Sequence, residues 1–377
     1  MPHSRCLLCA HDAFLDVSPP GLVGVTSDCK PWPRAGELRL CRRCGHVQKA
    51  LTPQWLRDVA EIYAGYELYP LSALSEQMIR VGDGFVSRNG HLADRLAGVH
   101  PIAETGDILD IGCGNGGFLR AFSKRFPGWR LFGCEQQADR RQDILGLPAA
   151  GGFYQGDIEA IDRRFDAISL VYVIEHLFDP AAVLRAIRQK LAPGGFVFVK
   201  TADLRTGPFD LAVADHCHHF TLEMLACLLG RTGFAVTRAF DDWVDKEIGL
   251  VAVAADQPAP GPMPPVPLAE VEAVVRANLG VMAAIRDKAA ASAVRPLGIL
   301  GTAISATWLA NQLGPGAASF FVDEDTSRVG RTHMDRPVLS LDQAPAGCAV
   351  CVPFPPPVAA RIVSRVGQTR PDITFLA

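Results

Sequence analysis

No stretch of the sequence approaches the roughly 18 uninterrupted apolar residues a membrane helix requires. Met1 to Asp12 lack the apolar centre of a secretory signal. The expectation is a cytoplasmic protein that makes no contact with a membrane. Charge of one sign is missing as well: 37 Lys and Arg stand against 40 Asp and Glu, a net charge of -3. That balance removes the general electrostatic case for a nucleic-acid or anionic-lipid partner, while leaving room for a local basic patch. No internal repeat is visible. The 11 cysteines are an odd number for a disulfide framework, so free thiols or metal ligands are their expected uses. Apolar residues are plentiful, at 49% against 20% charged, and 377 residues allow about two and a half domains at roughly 150 residues each.

Proline is concentrated rather than spread. Asp256 to Pro267 holds six prolines in twelve positions, which no helix or central strand accommodates, so an extended spacer is expected there. Upstream, Cys6 to about Tyr69 is dense in Cys, Pro, Gly and Arg and short of apolar runs, the composition of a small unit held by something other than a core. Between these lies an alternation of strand-like runs (Ile108–Ile111, Arg130–Cys134, Asp166–Val173, Phe196–Lys200) with helical patterns, which predicts a parallel sheet covered on both faces. Phe234–Phe240 and Ile248–Ala254 could pair as a closing hairpin. After the spacer, Leu268 to about Ala293 predicts a long helix, and a second strand-helix-strand unit starts at Leu297–Gly301. The expected organisation is an α/β chain divided as 1–75, a small zinc-binding segment; 76–256, a Rossmann-like domain; 257–267, the linker; and 268–377, a second Rossmann-like domain.

Cys6-x-x-Cys9 and Cys41-x-x-Cys44 are two pairs spaced for knuckle turns, each able to hold one face of a tetrahedral zinc. Four protein ligands leave no open position for substrate or water, so this zinc is expected to be structural. Closing such a site can contribute on the order of 10 kcal/mol to folding, enough for a segment with little core. Cys348 and Cys351 have the same spacing but sit in an apolar strand-like run, which favours buried thiols.

Asp107 to Phe118 reads as a strand, a glycine-rich loop and a helix, the form in which a ligand meets backbone at the carboxyl edge of a sheet. The glycine spacing fits neither the dinucleotide fingerprint nor a phosphate loop. Glu135 ends the next strand, where a carboxylate can accept from two ribose hydroxyls, and Gly156-Asp157-Ile158 comes after it, ahead of the strand Phe165–Val173. With Glu175-His176-Leu177 after strand four and Leu191-Ala192-Pro193-Gly194-Gly195 before strand five, this ordered set resembles the class I S-adenosylmethionine-dependent methyltransferases. The resemblance implies that Asp110, Gly112 and Gly114 cradle the amino acid end of S-adenosyl-L-methionine, Glu135 the ribose, and Asp157 with Ile158 the adenine. Glu175 and His176 open the helix after strand four in most such enzymes, which favours a positional role for them.

The whole layout is similar to the zinc-containing sugar-nucleotide C-methyltransferases of deoxysugar biosynthesis. The cysteine pairs match, and Tyr66, Tyr69 and Ser72–Leu74 resemble an aromatic-Leu-Ser segment beside the cofactor. Gly301-Thr302-Ala303 and Phe320–Asp323 are similar to the glycine turn and second strand of the family's carboxyl domain. The resemblance implies a small-molecule acceptor, a nucleotide-linked keto sugar, held in part by the C-terminal domain. In that family a Tyr-His-Glu-His segment supplies the base, and His216 of Asp215-His216-Cys217-His218-His219 falls on its second histidine. Val213, Ala214 and Asp215 replace the rest, so His216 can be a base or a structural or acceptor-binding residue, and His219 fits a lead into the following helix, capped by Thr221. Transfer to oxygen or nitrogen remains an alternative. So does a zinc-knuckle RNA methyltransferase, for which Arg34, Arg39, Arg42, Arg43 and Lys49 would be the basic face, and so does a non-catalytic scaffold. Dimerisation is the alternative role of the C-terminal domain, and the sequence leaves the oligomeric state open.

Overall fold

Strands β1 (Gly106–Ile111), β2 (Trp129–Glu135), β3 (Ala150–Gln155), β4 (Phe165–Val171), β5 (Leu191–Ala202), β6 (Phe234–Phe240) and β7 (Glu247–Ala254) form one seven-stranded sheet in the order β3-β2-β1-β4-β5-β7-β6. This is a computed structural model describing residues 5–67, 76–82, 84–255 and 267–377. β1 to β5 run parallel, and β7 is antiparallel to both β5 and β6, so the expected closing hairpin is present. The inner strands are apolar at successive positions because each face has its own core. Ile108, Ala167 and Phe198 pack under the helices Arg88–Val99 and Gly117–Arg125, while Leu109, Ile168 and Val197 pack under Pro180–Lys190 and Leu222–Arg231. Fully burying one such Leu or Ile stabilises by roughly 1.5–3 kcal/mol. Strand order reverses between β1 and β4, and a crevice opens there at the carboxyl ends of the strands.

The N-terminal segment is a sheet of Phe14–Asp16, Leu38–Cys41 and Val47–Lys49, with a fourth strand, His218–His219, contributed by the loop between β5 and β6. Its sheet borrows its core, with Val17, Leu38, Leu40 and Val47 packed against Leu204, Leu211, Val271 and Val275, and only a small cluster of Leu51, Trp55 and Val59 with Cys217 lies beside it. The packing therefore crosses the divisions at 75 and 256. Of the linker 257–267 only Pro267 lies within the described residues, directly ahead of the helix Leu268–Ala291.

The C-terminal domain holds β8 (Leu297–Leu300), β9 (Phe320–Val322), β10 (Arg336–Leu339), β11 (Ala349–Cys351) and β12 (Thr374–Leu376) in the order β10-β9-β8-β11-β12, all parallel, with Thr332–His333 on the β10 edge. Cys348 and Cys351 are buried free thiols, as their apolar setting predicts. The turn Gly301–Ala303 lies where the order reverses, between β8 and β11, and faces the crevice of the larger sheet.

Candidate active site

A cavity of about 1670 Å³ lies where the three parts meet. Asp110, Gly112, Gly114, Glu135, Asp157, Ile158, Tyr66 and His216 all line it, so residues spread over 150 positions of sequence reach one space. Tyr69 lies outside the described residues.

The β1 loop builds one end. Gly112 has φ +64° and Gly114 φ +49°, a region where a side chain is strained. A Cβ on Gly112 would also come within 2.5 Å of Val173 Cγ2. Asp110 is buried and accepts a 2.6 Å hydrogen bond from the Ser169 hydroxyl, while burial raises its pKa to about 7. The Gly114 amide donates to Glu135 Oε2 at 3.1 Å, which fixes the carboxylate at the end of β2 beside the loop. Tyr172, just after β4, holds a left-handed backbone at φ +60°, a conformation rare for a bulky residue and one that clusters at ligand sites. Its hydroxyl donates to Glu247, which also pairs with Arg88 and, at 3.0 Å, with Lys200.

Residues 210–219 build the other end. His216 Nδ1–H donates to Asp210 Oδ1 at 2.7 Å, and His219 Nδ1–H donates to Asp210 Oδ2 at 2.6 Å. Burial opposes charge on His216, but the Asp210 carboxylate outweighs it and lifts the pKa to about 9, while Asp210 itself is held well below the usual carboxylate range. Only His216 of the two reaches the cavity; His219 is enclosed in the small sheet against Val47. Thr221 caps the next helix through its hydroxyl, as expected.

Glu175 and His176 do not open a helix. They form a single tight turn, Ile174–His176, ahead of the helix that starts at Pro180, and both line the cavity. The His176 ring stands perpendicular to His216 with centroids 4.6 Å apart, and its Nδ1 lies 3.0 Å from the Tyr63 hydroxyl. Burial lowers His176 to about 4 and raises Glu175 to about 7. Asp210, Tyr63 and Tyr172 had no sequence signal, because nothing local marks a residue that acts through a partner far along the chain.

The 210–219 loop is held from the N-terminal segment at many points. Ser27 donates through its amide and hydroxyl to Asp215, the Trp55 indole donates to the Ala214 carbonyl, and Lys49 donates through its amide to Cys217 and its ammonium to Leu211. Strand Val47–Lys49 follows directly on the knuckle of Cys41 and Cys44. In the four-cysteine cluster the sulfurs of Cys6 and Cys44, and of Cys9 and Cys41, are 3.6 Å apart, and all four lie within 4.8 Å of one another. A tetrahedron with zinc–sulfur bonds of roughly 2.3 Å has edges near 3.8 Å, so the four cysteines fit such an ion. The knuckles match each other: Ala10 N–H donates to the Cys6 carbonyl and Gly45 N–H to that of Cys41, and Ala10 and Gly45 share positive φ, +59° and +71°. Hydrogen bonding among the sulfurs raises the Cys6 and Cys44 thiols and lowers that of Cys41.

Residues 85–239 match the family model described as Methyltransferase domain. An uncharacterized methyltransferase of Schizosaccharomyces pombe is 32% identical over 117 residues, covering 27% of this chain and 42% of that protein. The ubiquinone biosynthesis O-methyltransferase of Leptothrix cholodnii is 29% identical over 128 residues, covering 31% of this chain and 52% of that one. The chain thus spans about half the length of the curated relatives it matches. Among solved structures, the mitomycin 7-O-methyltransferase aligns with a TM-score of 0.39 at 20% identity over 44% of this chain and 53% of that one. No helix among the described residues is long and apolar enough to cross a membrane.

Proposed function

We propose that the protein is an S-adenosylmethionine-dependent methyltransferase that methylates a carbon of a nucleotide-linked keto-deoxysugar. The observation that carries this is the shared cavity, which joins the glycine loop and Glu135 at one end to the Asp210–His216 pair at the other. The matched methyltransferase domain, residues 85–239, contains all of them.

The cofactor, when bound, supplies an electrophilic methyl group. Asp110, Gly112 and Gly114 would hold its amino acid end, Glu135 its ribose, and Asp157 with Ile158 its adenine. A ring carbon becomes nucleophilic only after losing a proton next to a carbonyl, and His216 is placed to take that proton at Nε2, since Asp210 occupies Nδ1. Asp210 fixes the ring and balances the charge it gains. The buried, neutral His176 directs its one N–H at Nδ1 to the Asp215 carbonyl and the Tyr63 oxygen beside it, which leaves the Tyr63 hydroxyl proton to donate to the developing enolate oxygen. Cys6, Cys9, Cys41 and Cys44 would hold a structural zinc remote from this step, and the C-terminal domain closes the acceptor side of the cavity.

The relatives named for O-methylation favour a second reading, in which His216 deprotonates a hydroxyl of another acceptor. Incubation with S-adenosylmethionine and candidate keto-sugar nucleotides decides between them through product mass and the position of the new methyl group. A methyl on carbon supports the first reading, and one on oxygen the second. Turnover with no acceptor returns the protein to the class of scaffolds.

For cofactor binding, Asp110→Ala and Glu135→Ala are each expected to weaken S-adenosylmethionine by about 1.5–3 kcal/mol, the range for a hydrogen bond to a charged group. Calorimetric titration measures this. Unchanged affinity in both variants, or binding of NAD in place of S-adenosylmethionine, removes the assignment.

A further inference from the structure

The cations that line the cavity from residues 240–377 are Lys246, Arg328, Arg361 and Arg365. The three arginines are matched by acids of their own: Arg361 with Asp245 at 2.8 Å, Arg365 with Glu324 at 2.9 Å, and Arg328 with Asp323 and Asp325, both at 3.3 Å. Lys246 is different. Among the described residues its ammonium meets no hydrogen-bond or ion-pair partner, and it lies 5.3 Å from the centre of the Phe354 ring, across the divide between the middle and C-terminal domains. Its backbone is left-handed, φ +69°, a conformation lysine rarely adopts. That twist is fixed by its neighbours, since the Lys246 carbonyl accepts from the Asp203 amide and Glu247, next in the chain, starts β7 and bonds Arg88, Lys200 and Tyr172.

No acid is in hydrogen-bond or ion-pair contact with this half-buried ammonium, which is costly to keep so: burial lowers its pKa and Arg88 adds to that, while the more distant carboxylates of Glu247 and Asp245 offset only part of it. An aromatic face offsets part of that cost but leaves the ammonium hydrogens directed to whatever enters the cavity. We propose that Lys246 binds a phosphate group of the acceptor, which would lie in the cleft between Phe354 and the end of β7. This rests on the methyltransferase reading above and adds that the acceptor is anionic on its C-terminal-domain side. A neutral acceptor would leave Lys246 unmatched in the complex, which is unfavourable for a partly buried charge.

The test is calorimetric titration of the full chain, saturated with S-adenosylhomocysteine, using uridine and thymidine diphosphates and inorganic pyrophosphate as probes. The wild type should bind at least one of the three. Lys246→Met should weaken that probe about ten- to a hundredfold, the loss expected for a charge-assisted contact, with S-adenosylmethionine affinity within about twofold of wild type. Lys246→Arg should restore most of the affinity. Lys246→Gly suits the backbone better and is expected to fold at least as well, yet it too should lose the phosphate. Equal binding by wild type and both Lys246→Met and Lys246→Gly overturns the assignment. So does a wild type that binds S-adenosylmethionine but none of the three probes. Failure of the methyltransferase reading has a different signature, because S-adenosylmethionine itself would then not bind.

Discussion

Replacing Cys41 and Cys44 together by serine is expected to abolish the proposed zinc site and unfold the N-terminal sheet. Structural sites of this kind contribute on the order of 10 kcal/mol to folding, more than the margin of a segment that borrows its core. The damage should not stay local. Strand Val47–Lys49 carries His218–His219 on its edge and pins Cys217 and Leu211, so its loss frees the loop that bears Asp210 and His216. Elemental analysis of wild-type protein purified without added metal should give one zinc per chain, and limited proteolysis should cut the double variant within residues 5–67. A wild type without zinc, or a double variant that keeps it and resists protease like the parent, would sink the idea.

His216→Asn should slow turnover by roughly two orders of magnitude or more, the usual contribution of a positioned general base, while S-adenosylmethionine binds almost as before. The pH profile adds a sign. His216 must be neutral to accept a proton, and Asp210 holds its pKa up at about 9, so kcat/KM in the wild type should climb with pH and level off only near that value. Asp210→Asn removes the charge that raises it, and the limb should move down toward roughly 6.5, the ordinary histidine value, at a lower plateau. An equal loss in His219→Asn with His216→Asn near normal would transfer the role. A profile flat from neutral pH to 9 would exclude His216 as the base.

The sequence shows the parts whose chemistry is local. A knuckle is four consecutive residues and a glycine loop is seven, and the spacing of each marks what the structure brings together: four sulfurs within 4.8 Å of one another, and a left-handed turn at the carboxyl end of β1. The strands rich in Ile, Leu and Phe were equally plain. β3 was not, because Ala150-Gly151-Gly152 starts it with residues that carry no strand signal, and a Cβ on Gly151 would strike the Phe132 ring of β2. The base end was legible only as a histidine cluster. Asp210 lies six residues before His216 and accepts from both His216 and His219, one on each carboxylate oxygen, and no spacing rule states which histidine will face the cavity. Lys246 carries no motif either; its meaning comes from the acids it does not meet. Composition marks divisions at 75 and 256 but carries no sign of the packing that crosses them.

That packing has a consequence for how the chain can be taken apart. Val25 from the N-terminal segment, with Phe209, Ala212 and Val213 from the 210–219 loop and its approach, shares one core with Met282, Ile285 and Trp308 of the C-terminal domain. The Asn311 amide donates to the carbonyls of Gly24 and Trp32, and the Asn278 amide to that of Leu204. Cutting at the proline-rich stretch would pass through this core and lay its apolar side bare, so the two halves are not beads on a string. The C-terminal domain, which carries none of the residues proposed for proton or methyl transfer, is thereby one wall of the cavity that they line. Heat should melt the three parts together in one cooperative step, and transplanting the middle sheet alone would carry the glycine loop and Glu135 but leave the loop of Asp210 and His216 without the segments that hold it.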